Sequence, residues 1–110
     1  MQVRVLHIAD CPNWREAGAR TRQALDTLGL RDVPVEYVLI RTDREATRTG
    51  FAGSPTILLD GEDLFPSDGR TADLACRVYV TETGMAGAPS QLSLEQTLRD
   101  RVWPSPRCAG

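Results

Sequence analysis

The chain contains no lysine. Its thirteen basic residues are all arginine, set against fifteen carboxylates for a net charge of −2 over 110 residues. These arginines are scattered rather than gathered into the basic stripe that usually meets nucleic acid or an anionic membrane surface, so neither partner is expected. Long apolar runs are also missing, and none approaches the ~20 residues needed to cross a bilayer. Met1-Gln2-Val3-Arg4 leads straight into a strand pattern, without the basic and apolar stretches of a secretory signal, and the expected location is the cytoplasm. Paired metal-ligand spacing is absent too: Cys11, Cys76, Cys108 and the one histidine, His7, stand apart, so no metal and no other cofactor is expected. An odd, widely spaced set of three cysteines makes no disulfide framework; in a reducing compartment it leaves room for a reactive thiol. No repeat or internal linker interrupts the chain. Its length suits one domain with one core, residues 1–103, followed by a short tail, 104–110.

What is present reads as alternating strands and helices. Val3 to Ile8 is a short apolar run that predicts a buried strand. From Asn13 to Leu28, the residues Trp14, Ala17, Ala24, Leu25 and Leu28 recur at helical intervals, with Pro12 suited to the first turn and Gly29 to the left-handed close. Val35 to Ile40 is a second strand, which completes a right-handed parallel βαβ unit. Thr42-Asp43-Arg44-Glu45 matches a capping box and predicts a short helix from Asp43 to Thr49, stopped by Gly50. Thr56 to Leu59 is a third strand, and Asp60-Gly61 signals a hairpin returning through Asp63-Leu64-Phe65.

Pro66 to Asp73 then reads as a loop, Cys76 to Val80 as an added strand or extended arm, and Gly84 to Pro89 as another loop. Ser90 or Ser93 caps a last helix that turns Leu94, Leu98 and Val102 inward and ends before Pro104. The expected fold class is therefore α/β: a βαβ unit, a β-hairpin and a C-terminal helix, with an extra segment before that helix.

Cys11 has the position that chemistry would favour. A helix start presents unpaired N–H groups and a partial positive charge, which lowers a thiol's pKa, and the thiolate is the nucleophile. Gly53-Ser54-Pro55-Thr56 precedes the third strand; a cis Ser54–Pro55 bond would bring Ser54 beside the Cys11 sulfur, whereas a trans bond would merely open an edge strand.

Cys-Pro-Asn-Trp after a first strand, followed by Gly-Phe-Ala-Gly-Ser-Pro-Thr-Ile-Leu-Leu-Asp-Gly and later Cys-Arg-Val-Tyr, resembles the thioredoxin-like superfamily. More narrowly it is similar to small single-domain bacterial proteins labelled thioredoxin-like or alkylmercury-lyase-like. The resemblance spans Val3 to Arg101. It implies a thioredoxin-like fold, with Cys11 as the active-site thiol, Pro55 as a cis-proline facing it, and Pro12, Trp14 and Ser54 as site neighbours.

The pattern is broken where the second cysteine should stand, three residues after the first: that position is Trp14. A partner sulfur must come from Cys76, from Cys108 on the tail, from a low-molecular-weight thiol or from another protein. Cys76 is readable either as that partner or as an inert core residue. The leading expectation is a thiol-redox protein of monothiol or remote-dithiol type. The alternative is a non-catalytic binding module that keeps the fold. A third expectation, ranked lower, is organomercurial cleavage or soft-metal binding by Cys11 and Cys76, in which the proton-delivering carboxylate would fall at Trp14. Oligomeric state is left open by the sequence. Of the other polar and aromatic residues, His7 is expected as a satisfied buried histidine and Trp14 as a packing residue covering the pocket beside Cys11. Asp60 and Asp63 are expected to flank the turn without further role, and Arg77 and Tyr79 to face solvent, the alternative being that they line the site if the Cys76 strand approaches Cys11.

Overall fold

Val3, Val5, Leu6 and His7 are all buried, and a strand apolar on both faces belongs in the middle of a sheet. β1 (Val3–His7) takes that place in a computed structural model that describes residues 1–66 and 74–103. It pairs in parallel with β2 (Val35–Leu39), Val3 opposite Val35 and His7 opposite Leu39. On its other side it runs antiparallel to β3 (Thr56–Leu59), which pairs with β4 (Glu62–Asp63), giving the order β2-β1-β3-β4. β3 is buried throughout, as its position beside β1 requires.

Alternation along these strands divides the core into two layers. Val3, Val5, Ile57 and Leu59 face α1 (Trp14–Thr27) and α3 (Gln91–Val102), whose Ala17, Ala24, Leu25, Leu94 and Leu98 complete one cluster. Leu6, Ile8 and Leu58 point the other way, into a smaller cluster with Ile40, Phe51, Cys11 and Ala46 of α2 (Asp43–Thr49). The helix ends follow local chemistry. The Thr42 side chain accepts from Glu45 N at 3.1 Å, the Glu45 carboxylate reaches back to Arg41 N at 2.8 Å, and Gly50 closes α2 in the left-handed region. Ser90, not Ser93, caps α3, accepting from Ser93 N at 3.1 Å.

The remaining strands stand apart from this sheet. β5 (Tyr79–Thr81) and β6 (Gly84–Ala86) form a separate antiparallel hairpin, and Cys76 joins Ser54 through an isolated parallel bridge. Among the described residues the chain is mixed α/β, with a four-stranded mixed sheet and three helices, the last of them following every strand. No helix among the described residues is long and apolar enough to cross a membrane.

Four sequence expectations need adjusting. The returning hairpin strand is Glu62–Asp63, not Asp63 to Phe65: Asp60 and Gly61 both take positive φ, so pairing resumes at once. Gly84 to Pro89 is not all loop, because Gly84–Ala86 pairs with β5 despite lacking β-branched residues. Cys76 to Val80 is not one strand; only its last two residues enter β5. Val102 is half-buried rather than part of the core. Most of the Pro66 to Asp73 loop, and the 104–110 tail with Cys108, lie outside the described residues.

Candidate functional site

Cys11 lies between the end of β1 and the start of α1, where Cys11 N donates to Ile8 O at 3.4 Å and the helix begins at Trp14. Its sulfur is bonded to that of Cys76, 65 positions away, with the two α-carbons 5.9 Å apart. That separation lies inside the range a disulfide requires. The two halves differ in environment. Cys11 is fully buried, whereas Cys76 is an exposed residue, which removes the inert-core reading of Cys76.

Ser54 organises the bridge. The Ser54–Pro55 bond is cis, and Ser54 is completely buried. Its hydroxyl accepts from Ile8 N at 3.1 Å, tying the turn to the segment that carries Cys11. Its backbone grips the other half: Ser54 N donates to Ala75 O and its carbonyl accepts from Arg77 N, both at 2.8 Å, with Cys76 between them. The same carbonyl lies 3.6 Å from the Cys11 sulfur, which Asn13 Nδ2 approaches at 3.6 Å from the position just before α1. Gly53 has φ +106, and a β-carbon there would stand 2.8 Å from Arg77 Cβ, so the close approach of the two chains needs glycine.

A second set of contacts holds the Cys76 segment from behind. The Arg77 guanidinium pairs with Asp63 at 2.9 Å, the two side chains only 8% and 6% exposed. It also donates to Phe65 O and lies over the Tyr79 ring, 4.6 Å from its centre. The Tyr79 hydroxyl donates to Pro55 O, and burial pushes its pKa up. Cys76 does approach Cys11, and Arg77 and Tyr79 turn inward behind it rather than toward solvent, while Asp63 does more than flank a turn. Sequence reading missed this cluster because charged residues are normally sorted outward. A signal existed in the alternation Cys76, Val78, Val80 against Arg77, Tyr79, the first set exposed and the second turned in.

Trp14 does not cover the Cys11 pocket. It packs on the α1/α3 cluster, stacked on His7 with ring centres 4.3 Å apart and edge-on to Tyr37. His7 is buried but not satisfied: Nδ1 has no hydrogen-bond partner among the described residues. Burial pushes its pKa down, partly opposed by the Ile8 backbone. Pro12 is exposed and precedes the helix by two residues, its carbonyl accepting from Arg15 N at 3.3 Å. A cavity of about 260 Å³ opens where β1 and β2 end, lined by Ile8, Asp10, Ile40, Arg41 and Leu74 among others. Among the described residues no three histidine, cysteine or carboxylate side chains cluster as metal ligands. Comparisons with protein-family models, curated proteins and solved structures each returned no match.

Proposed function

We propose that the chain is a thioredoxin-like thiol-redox protein of the remote-dithiol type, with Cys11 and Cys76 as its exchanging pair. The carrying observation is the bond between these two cysteines across a turn that positions both, one sulfur on a buried residue and the other on an exposed one. The strand order β2-β1-β3-β4, with β1 and β2 parallel and the Ser54–Pro55 turn entering β3, supports the fold reading. The redox partner is a thiol or disulfide of another protein or of a small molecule, met in the cytoplasm.

This geometry reverses the roles expected for the sulfurs. An incoming thiolate attacks the Cys76 sulfur, the Cys11–Cys76 bond breaks, and Cys11 departs as thiolate while Cys76 becomes the mixed disulfide. A second thiol then attacks the incoming sulfur and releases Cys76. Two electrons and two protons pass from two external thiols to the pair, leaving one external disulfide. A leaving thiol departs faster the lower its pKa. The helix start and the Asn13 amide therefore favour Cys11 as leaving group rather than as nucleophile.

The complete burial of Cys11 favours a second reading, a non-catalytic module whose bridge is structural. Equilibration in glutathione redox buffers separates the two. Exchange at a potential within the cellular glutathione range supports the redox protein; a midpoint below about −300 mV, where structural disulfides lie, supports the module. With Cys11→Ser, Cys76 should form a mixed disulfide readily; with Cys76→Ser, Cys11 should react slowly. Organomercurial cleavage has its two sulfurs side by side but lacks its proton-delivering carboxylate: Trp14 occupies that position and packs on the other core layer.

A further inference from the structure

Among the described residues three ties hold the Cys76 segment besides the disulfide, and none of them is a continuous sheet ladder. The first is the single bridge to Ser54. The second is the Arg77 side chain, paired with Asp63 and donating to Phe65 O, with Asp63 itself held by Phe65 N donating to its Oδ1 at 2.9 Å and by Arg101 donating to its backbone O at 3.1 Å. The third is the Tyr79 hydroxyl on Pro55 O. Reduction removes the disulfide and leaves these three to decide where the Cys76 thiol stands.

We infer that Asp63 and Arg77 are positioning residues for the redox pair: their buried ion pair holds the reduced Cys76 segment against Ser54 and so sets the effective concentration of the Cys76 thiol at Cys11. This inference rests on the redox reading above and deepens it. Arg77 is the residue next to Cys76, its backbone N–H is bonded to Ser54 and its side chain is anchored on β4. The cysteine thus sits on a short tether fixed at both the main chain and the side chain. Preordering of this kind favours ring closure because the freedom lost on forming the bond is already lost. Removing Asp63's charge would leave the buried guanidinium with Phe65 O and the Tyr79 ring but no counter-charge, which is strongly unfavourable. Arg77 would then swing to water and carry Cys76 with it. Coupling is reciprocal, so whatever the pair does for the bond, the bond does for the pair.

The test compares dithiol–disulfide equilibria in glutathione buffers for wild type, Asp63→Asn and Asp63→Glu, each checked for folding by circular dichroism. The expected result is a loss of at least tenfold in the constant for bond formation with Asp63→Asn, about 30 mV for a two-electron couple. Asp63→Glu, which keeps the charge, should recover most of it. A purely structural role would destabilise oxidised and reduced forms alike and leave the constant unmoved. If Asp63→Asn does not fold, Tyr79→Phe removes only the hydroxyl tie and should shift the constant in the same direction by a smaller factor. A folded variant of either kind with the wild-type constant overturns this proposal and leaves the redox reading standing. A wild-type bond that never exchanges overturns both.

Discussion

The sheet with its helices and the segment from Leu74 to Ala86 are held by different physics. The sheet is held by area: Val3, Val5, Leu25, Ile57, Leu94 and Leu98 are buried without remainder on one face, and Leu6 and Phe51 on the other. The later segment buries Tyr79 but exposes Val78, Val80 and Met85, and among the described residues it is fastened by named bonds: the bridge to Ser54, Arg77 on Asp63 and Phe65 O, the Tyr79 hydroxyl on Pro55 O, the Ser90 and Ser93 hydroxyls on Glu82, and the disulfide. Burial is spread over many atoms and degrades gradually. A few directional ties can each be cut by one chemical event, which suits a segment carrying an exchangeable sulfur.

The contrast predicts a ranking. Phe51→Ala should cost most, about 3–5 kcal/mol, because it empties the middle of the layer beneath α2; urea denaturation of the oxidised protein measures it, and a loss near 1 kcal/mol would mean that layer is not a real core. Cys76→Ser should follow at about 2–4 kcal/mol through the lost constraint on a loop of 65 positions, seen as a drop in midpoint relative to oxidised wild type and as no drop relative to reduced wild type. Gly53→Ala should cost about 1–3 kcal/mol, since the new residue takes a left-handed φ and meets Arg77. Its signature is loosened protection of the Arg77 amide in hydrogen exchange before the sheet amides change; uniform loosening would erase the distinction between the two regions.

The same contrast explains what the sequence revealed. The βαβ unit and the short helix after it were legible because their signals are local: the 3.6-residue recurrence from Ala17 to Leu25, the apolar run at Val3, and Thr42 and Gly50 at the two ends of α2. The cis-proline turn was implied only by resemblance, since base rates favour a trans bond, and the Cys11–Cys76 approach stayed one option among several, since distance between sulfurs has no periodic trace. The Asp63–Arg77–Tyr79 cluster was read outward because each residue is individually polar or amphipathic, and only β4 and the Ser54 turn together bring them inside. Trp14 was assigned to Cys11 by adjacency in sequence, yet the turn of the helix start carries the two to opposite layers.

Two smaller effects probe the boundary. Burial holds the His7 pKa below its ordinary value, so the unfolded chain takes up a proton first as pH falls. Stability should therefore decline from about pH 6.5 downward and level off below the folded pKa. His7→Phe, which keeps a ring against Trp14, should remove that part of the slope; an unchanged slope would mean that His7 does not carry it, since a carboxylate such as Glu82, its pKa lowered chiefly by the Ser90 hydroxyl, acts only at lower pH.

The smallest effect is the sharpest check. Val80 is 78% exposed and faces Met85, itself 71% exposed, across the hairpin. If the segment is held by its ties alone, Val80→Ser removes nothing that water was kept from, and stability should stay within about 0.5 kcal/mol of wild type, with the Cys11–Cys76 equilibrium unchanged. A core-sized loss would mean that this face is buried in the protein as it exists in solution, and the region described as tied would have to be counted as packed.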